Sequence, residues 1–547
     1  MASMTWRTMA ILGAMGSMGL AACGAVPDGS GTGAAGPSGE LPTASGDPQP
    51  DWTGGSSADA GVWDESAAGG TSAGTAGPAM PPSAAAPDQS GEQYQDYGAN
   101  PFVDTATDPF STFAIDVDTA SYTLMRRDVN ASVLPVPASV RVEEYVNFFH
   151  YNDAPPAADD AFPFAIHLEA APSPFGAGLE LLRVNLTGRT IATDDLKPVN
   201  LVFLVDVSGS MMEPNKLGLV KETLTTLVRQ LRPTDTIAIV TYAGAEGLAL
   251  PATPVSERGQ ILSVLDSLEA GGSTNGQAGL ALAYDVAAHA FRQGGVNRVV
   301  LCTDGDFNVG VTGDALVQLI EAKRDEGITL SALGFGSDNY NDATMEQLAD
   351  RGNGNYAYVD SAEEADRVAR RDLTGMLEVI AKDAKIQVEL NPAVVVQYRL
   401  IGYENRAVAD RDFVNDRVDG GEIGSGHQVT AFLELKLAEG VEQADAASAL
   451  ATVRVRAKTP DGVESHETSK AIALADRLDS VDAASADLRF GAAVAETAEI
   501  LRGSPHVDAQ APFAAVQALA RGAANQGADR LEFVALLGII AGLLPAR

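Results

Sequence analysis

The run LVFLVDVSGSMME carries five apolar residues straight into Asp206, Ser208 and Ser210, so an acid and two hydroxyls alternate at the end of a hydrophobic stretch. Further on, the glycine-rich EAGGSTNGQ supplies Thr274 just before a helical pattern, and LCTDGDFN supplies Asp304 at the end of a second apolar run. Three hydroxyls and two carboxylates meeting at one edge offer only oxygen. That set suits a hard divalent cation and lacks the thiols and imidazoles that zinc prefers. Magnesium fits best, because it keeps several waters and needs few direct protein ligands; Mn²⁺ is the alternative.

Such a site needs a scaffold that brings strand ends together. Between about 198 and 375, the apolar runs VNLVFLVD, DTIAIVTYA, NRVVLCTD, ITLSALGFG and NYAYVD alternate with segments of helical period near 215–231, 256–268, 276–292, 313–326, 341–351 and 361–374. Near-continuous apolar strands separated by amphipathic helices predict an α/β fold with a doubly wound, mostly parallel, Rossmann-like sheet. Ligands of such sheets bind outside the carboxyl ends of the strands, where Asp206 and Asp304 stand.

In their order and on these elements, Asp206, Ser208, Ser210, Thr274 and Asp304 resemble the metal-ion-dependent adhesion site (MIDAS) of von Willebrand factor type A (VWA) domains. The resemblance implies that the serines and the threonine bind the ion directly, that the acids act largely through water, and that a partner's Asp or Glu carboxylate takes the open position. The chain from about 98 to 545 also resembles one bacterial family of VWA lipoproteins, through the lead-in FSTFAIDVDTASYTLMRR and VRVEEYVNFFHY and the later YRLIGYENR, DFVND and GGEIGSGHQVTAFLEL. That family's C-terminal region is of unknown function. The implied role is a metal-dependent protein-binding module rather than an enzyme. A magnesium-dependent hydrolase is the second reading, but it wants a base or nucleophile beside the metal. Near the motif stand Glu213, Asp306 and Asn308, with no His, Lys or Cys pair and no G-x-S-x-G or phosphate-binding loop. The third reading is a structural envelope protein with a vestigial site.

The N-terminus, MASMTWRTMAILGAMGSMGLAACGA, has one Arg before a short apolar run that stops at Leu20-Ala21-Ala22-Cys23. The run is a signal-peptide core rather than a span. It resembles a lipoprotein lipobox, which implies a signal peptide over 1–22 and lipidation of Cys23; a plain secretory signal with an incidental Cys is the alternative. Gly24 resembles the default for outer-membrane sorting in a two-membrane cell, facing the periplasm or the exterior. Residues 23–98 are rich in Gly, Ala, Ser and Pro and read as a disordered tether. The chain of 547 residues has a formal charge of −36, which argues against nucleic acid as a partner.

Further expected segments are an N-terminal VWA-associated region over 99–197, the VWA domain over 198–380, β-strands over 381–480 and a helical end over 481–547. The strands near 160–190 and 385–475 are each too few for a sandwich, so the VWA domain is expected to be inserted into one β-sandwich that both sets complete. Ala365, Val368, Ala369 and Leu373 should form the buried stripe of the exit helix. Asp116-x-Asp118 with Ser121 reads as a cap and turn, with a metal loop as the lesser alternative. His427 reads as a turn or strand-edge residue and Cys302 as a small core residue. LEFVALLGIIAGLL is too short to span a bilayer and reads as a buried helix.

Overall fold

The computed structural model describes Glu92 and residues 94–545, apart from 116–117, 193–194, 245, 274–275, 306–313, 337–340, 419, 509–511 and 526. Cys23 and the tether through residue 91 lie outside the described residues, as does Asp116; the expected end of the tether is instead ordered, with Glu92 paired to Arg127 at 2.9 Å and Tyr94 packed against the core of the α/β domain. No described helix is long and apolar enough to cross a membrane.

The lead-in supplies β1 (Phe110–Ala114), α1 (Ala120–Asn130), α2 (Val142–Phe148), β2 (Phe164–Pro172) and β3 (Glu180–Gly188). An α/β domain then interrupts the sandwich. Its strands are β4 (Val199–Asp206), β5 (Thr236–Tyr242), β6 (Glu246–Pro254), β7 (Val296–Thr303), β8 (Thr329–Phe335) and β9 (Tyr356–Val359). Its helices are α3 (Leu217–Gln230), α4 (Arg258–Ser267), α5 (Gly276–His289), α6 (Asp314–Asp325), α7 (Asp342–Arg351) and α8 (Ala362–Arg367), the first five within a few residues of their expected bounds and α8 ending seven residues short of the expected 374. The sheet order is β9-β8-β7-β4-β5-β6, parallel except for β6. Chain order reverses at β4, which is buried along its whole length with Phe203 packed into the core on one face and Leu204 into the core on the other.

β6 is a difference from the sequence reading. EGLALPATP has prolines at Pro251 and Pro254 and buries few of its side chains, so it lacks the apolar run of its neighbours. It fits where prolines are tolerated, on the sheet edge.

After the insert come β10 (Val379–Leu390), β11 (Val395–Ile401), β12 (Gln428–Leu437), β13 (Ala449–Lys458) and β14 (Ser465–Ala473). One sheet orders a short strand at Val103–Asp104, then β11, β12, β3 and β2; the other joins β10, β13 and β14, with β1 on β10. β3 from before the insert pairs with β12 from after it, in register from Glu180↔Leu435 to Thr187↔Gln428. The expected insertion into a shared sandwich therefore holds. Leu182, Val184 and Leu433 of one sheet share a core with Ile386, Val453 and Val455 of the other.

Helices α10 (Ala486–Arg502), α11 (Phe513–Ala523) and α12 (Ala528–Leu543) close the fold. Phe490 and Phe533 enter the aromatic cluster of Phe149, Phe148 and Tyr122, where Tyr122 stacks on Phe148 at 4.0 Å. α12 is not buried all round. Phe533, Leu536, Leu537 and Ile540 face the core, whereas Leu531 and Ile539 are exposed.

Two sets of buried ion pairs weld the insert to its host. Arg126 of α1 reaches Asp360 at 2.5 Å and Glu364 of α8 at 2.9 Å. Beyond α8 the chain continues as one π-turn, Val368–Asp372, and a short helix α9 (Leu373–Met376). Its stripe of Ala365, Val368, Ala369 and Leu373 is buried as the spacing predicts. The second weld surrounds α7, where Arg141 bonds Asp342 and Glu144 while Arg406 bonds Glu346, Asp350 and Asp118. Asp118 is thus not the helix cap, a place taken by Thr119. It accepts from the Tyr356 backbone N–H at 2.7 Å and joins Glu144 and Glu346 in a buried acidic cluster threaded by guanidiniums.

Burial, with the charges of Glu144 and Asp342 adding and those of Arg141 and Arg406 opposing, lifts the Glu346 carboxyl to about 7 from an ordinary 4.5. The folded state therefore binds this proton more tightly than the unfolded one. The stabilisation is complete below about 4.5 and is lost as pH rises through 7. Glu346→Gln keeps the uncharged form at all pH. It should raise Tm by several degrees in mildly alkaline buffer and flatten the decline, as thermal unfolding across that pH range will show; a lower Tm there would contradict the assignment.

Candidate metal centre

Asp206 ends β4 fully buried, and the register Val205↔Cys302 sets it beside the end of β7. Its Oδ1 accepts from the Ser208 backbone N–H at 2.8 Å, and its Oδ2 accepts from Thr303 Oγ1 at 3.2 Å. Those bonds fold the chain back at once, bringing Ser208 Oγ within 3.0 Å of Ser210 Oγ. Ser208 is buried and Ser210 exposed, so the hydroxyl pair leads from the sheet to the surface.

The turn is braced from the loop that follows α4. Gly209 N–H donates to the Gly272 carbonyl at 3.0 Å and Gly271 N–H to the Val207 carbonyl at 2.7 Å. Gly272 has φ +91°, and a Cβ on Gly209 would sit 3.3 Å from the Gly272 carbonyl oxygen. Small residues are needed on both sides of that contact. Thr274 lies outside the described residues, as do Asp306 and Asn308; the loop braced against the serines is the one that carries Thr274.

Asp304 follows β7 and is buried. Its Oδ2 accepts from Lys216 Nζ at 3.2 Å, while its Oδ1 is buried with no hydrogen-bond partner among the described residues. Burial raises the Asp206 carboxyl above its usual range, with Asp304's charge adding to the effect and the Ser208 donors opposing it. The structure thus brings together Asp206, Ser208, Ser210 and Asp304. Their oxygens, one of them a buried carboxylate oxygen without a donor, suit a hard cation or its water shell.

Lys216 is the residue that sequence reasoning misses. Its side chain is buried against Gly336, whose φ of +81° and missing Cβ make the space; a Cβ there would lie 2.3 Å from Lys216 Cε. Nothing in EPNKLG signals this, because the partner backbone comes from the end of β8. Glu213 is exposed at the rim, 3.8 Å from the ammonium. His427 sits far from these residues in the fold, in the turn before β12, and burial together with Arg371's charge pulls its imidazole down to about 4. Cys302 is buried in the sheet and its thiol is pushed well up by burial, which suits a core residue.

Comparison with known proteins bears on the family of the chain. Residues 200–371 match the von Willebrand factor type A domain family, residues 88–183 a family described as von Willebrand factor, and residues 375–543 the family described as Uncharacterized protein YfbK, C-terminal. Uncharacterized protein YfbK of Escherichia coli (strain K12) is 41% identical over 76% of this chain and 75% of its own. Inter-alpha-trypsin inhibitor heavy chain H4 of Bos taurus is 29% identical over 28% of this chain and 17% of its own. Among solved structures, a von Willebrand factor type A protein from Catenulispora acidiphila aligns over 71% of this chain and 89% of its own, with 17% identity and a TM-score of 0.40.

In metal-free buffer, Lys216→Met leaves Asp304 buried without its cation, a loss expected at about 3–5 kcal/mol. Thermal unfolding with chelator and with added Mg²⁺ checks this. Mg²⁺ should recover a large part of the lost stability, and a variant indifferent to Mg²⁺ would contradict the reading of Asp304.

Proposed function

The chain belongs to the family of Escherichia coli YfbK, and on that footing we propose that it is an envelope-anchored, metal-dependent binding module that clasps an acidic side chain of a protein partner. It carries a VWA domain, a protein-interaction module. One observation supports the finer reading most: at the switch point of the sheet, Ser208 and Ser210 hydroxyls stand beside two buried carboxylates, one oxygen of which has no donor among the described residues.

Asp206, Ser208, Ser210 and Asp304, with Thr274 from the braced loop, are the residues that would hold Mg²⁺ or Mn²⁺. When bound, such an ion supplies an electrophilic centre with positions open to an anionic oxygen from outside. The chain's own contribution is positional. Ser208 N–H and Thr303 Oγ1 fix both oxygens of Asp206, so its carboxylate cannot turn away. Exposed Met212 and Glu213 flank the serines and give a partner an apolar and an acidic contact at the rim. A hydrolase is less well supported, because Cys302 is buried and its thiol held protonated, and no His or Cys adjoins the motif among the described residues.

Calorimetric titration of the protein with Mg²⁺ and Mn²⁺ tests the metal. The wild type should bind one ion per chain, and Asp304→Ala should lose binding with its far-ultraviolet spectrum unchanged. A wild type with no detectable site at millimolar metal would favour a vestigial site.

Anchoring through Cys23 belongs to the same proposal, and it rests on the Leu20-Ala21-Ala22-Cys23 junction. Cys23→Ser should leave the membrane fraction while remaining folded. Continued partition with membranes after high-salt washing would show that the lipid on Cys23 is not the anchor.

A further inference from the structure

At the end of the insert's sheet opposite Asp206 and Asp304, the α/β domain meets the sandwich around a cavity of about 130 Å³. Arg298 in β7 is six positions before Asp304, which along a strand places the two about 20 Å apart. The cavity is therefore separate from the metal centre. Arg298, Asn353 and Asn355 line it from the insert, Arg371 from the π-turn, and Glu422 and His427 from the loops before β12.

Charge balance singles out Arg298. The other buried arginines Arg126, Arg141, Arg183, Arg399 and Arg530 each hold at least one carboxylate. Arg298 is only 4% exposed, yet its bonds run to neutral hydroxyls, Nε to Thr329 Oγ1 at 3.1 Å and Nη1 to Ser331 Oγ at 2.9 Å. Among the described residues no carboxylate closes to ion-pair distance. Glu422 is near enough for its charge to be felt, but it accepts from Asn353 Nδ2 at 2.8 Å. Burial, opposed by Glu422, pulls the guanidinium down to about 10, so it is charged at neutral pH. A buried charge without a counter-ion is costly, and proteins pair or neutralise such groups.

The other cavity groups extend the pattern. Arg371 donates to the Phe148 carbonyl at 3.4 Å, and its nearest acid, Asp372, stands 3.7 Å from Nε and is shared with Arg367. The acid Asp118, also on the wall, is committed to Tyr356 N–H and to Arg406. Among the described residues, Asn353 Oδ1 is buried with no donor, and the neutral His427 ring has no hydrogen bond to another residue. A ligand completing the set needs an anionic oxygen for Arg298 and a hydroxyl donor for Asn353 Oδ1.

We propose that this cavity is a binding site for a small hydroxyl-bearing oxyanion, hydrogen phosphate or a short hydroxycarboxylate, paired with Arg298 and supported by Arg371. Its ligand would lie between the insert, which supplies Arg298, Asn353 and Arg371, and the sandwich side, whose Glu422 and His427 line the cavity.

The test titrates the full-length protein in detergent with inorganic phosphate and, separately, with malate, with chloride as the ionic-strength control. The buffer is stripped of divalent ions on a chelating resin, so the outcome is independent of the metal centre. At least one of the two anions should bind at one site per chain and raise Tm. Arg298→Gln should weaken that binding about tenfold or more, since it removes a charge-assisted contact. Binding of phosphate alone or malate alone identifies the source. No heat and no Tm rise with either anion at millimolar concentration would overturn the proposal, as would unchanged affinity in Arg298→Gln. Should Arg298→Gln not fold, Arg371→Gln takes its place, and full affinity in that variant overturns the proposal.

Discussion

Two carboxylates are buried at the ends of neighbouring strands, and like charges so placed must be compensated or one must take a proton. Asp206 is compensated from within its own turn, by the Ser208 backbone N–H and by Thr303. Among the described residues, Asp304 is compensated on one oxygen only, by the buried ammonium of Lys216. The cluster of hydroxyls, the glycine contact between Gly209 and Gly272, and the cradle that Gly336 gives Lys216 all serve this one electrostatic requirement. Two carboxylates that repel each other across a single internal cation would be relieved by a second one, which is what the proposed metal would supply.

The fold makes that arrangement rigid by closing the chain around it. The sandwich is built from strands on both sides of the insert, with β3 paired to β12, so the α/β domain is held at entry and exit at once. Arg126 bonds Asp360 and Glu364 where the exit helix begins, and Arg406 bonds α7. Sliding that helix by one turn would separate buried charge pairs, each of which is costly to break. Motion at the metal end, in so far as it reaches the sandwich, has to pass through the π-turn at Val368–Asp372, where helical bonding already changes pitch.

Much of this was legible in the residues alone, for definable reasons. Asp206, Ser208, Ser210 and Asp304 sit at strand ends whose apolar runs announce a buried parallel sheet, and a sheet of that kind brings strand ends together. The shared sandwich was legible because each strand set is incomplete without the other. What escaped depends on distant backbone. Lys216 is buried by Gly336, and Asp118 takes its meaning from Tyr356 and Arg406, which are 238 and 288 residues away. β6 escaped because its prolines and exposed positions hide its period, and β14 because SHETSKAIA buries little beyond Ile472. α12 reads as buried throughout because a run of apolar residues does not say which of its faces is covered.

Crystals grown with Mn²⁺ and measured at the manganese absorption edge test the central claim most directly, because the anomalous signal locates the ion without reference to any activity. The account predicts one peak per chain within coordinating distance of the Ser208 and Ser210 hydroxyls, on the side of Asp206 and Asp304 that faces solvent. A map with no peak there, or with its peak among Asp118, Glu144 and Glu346, would contradict it.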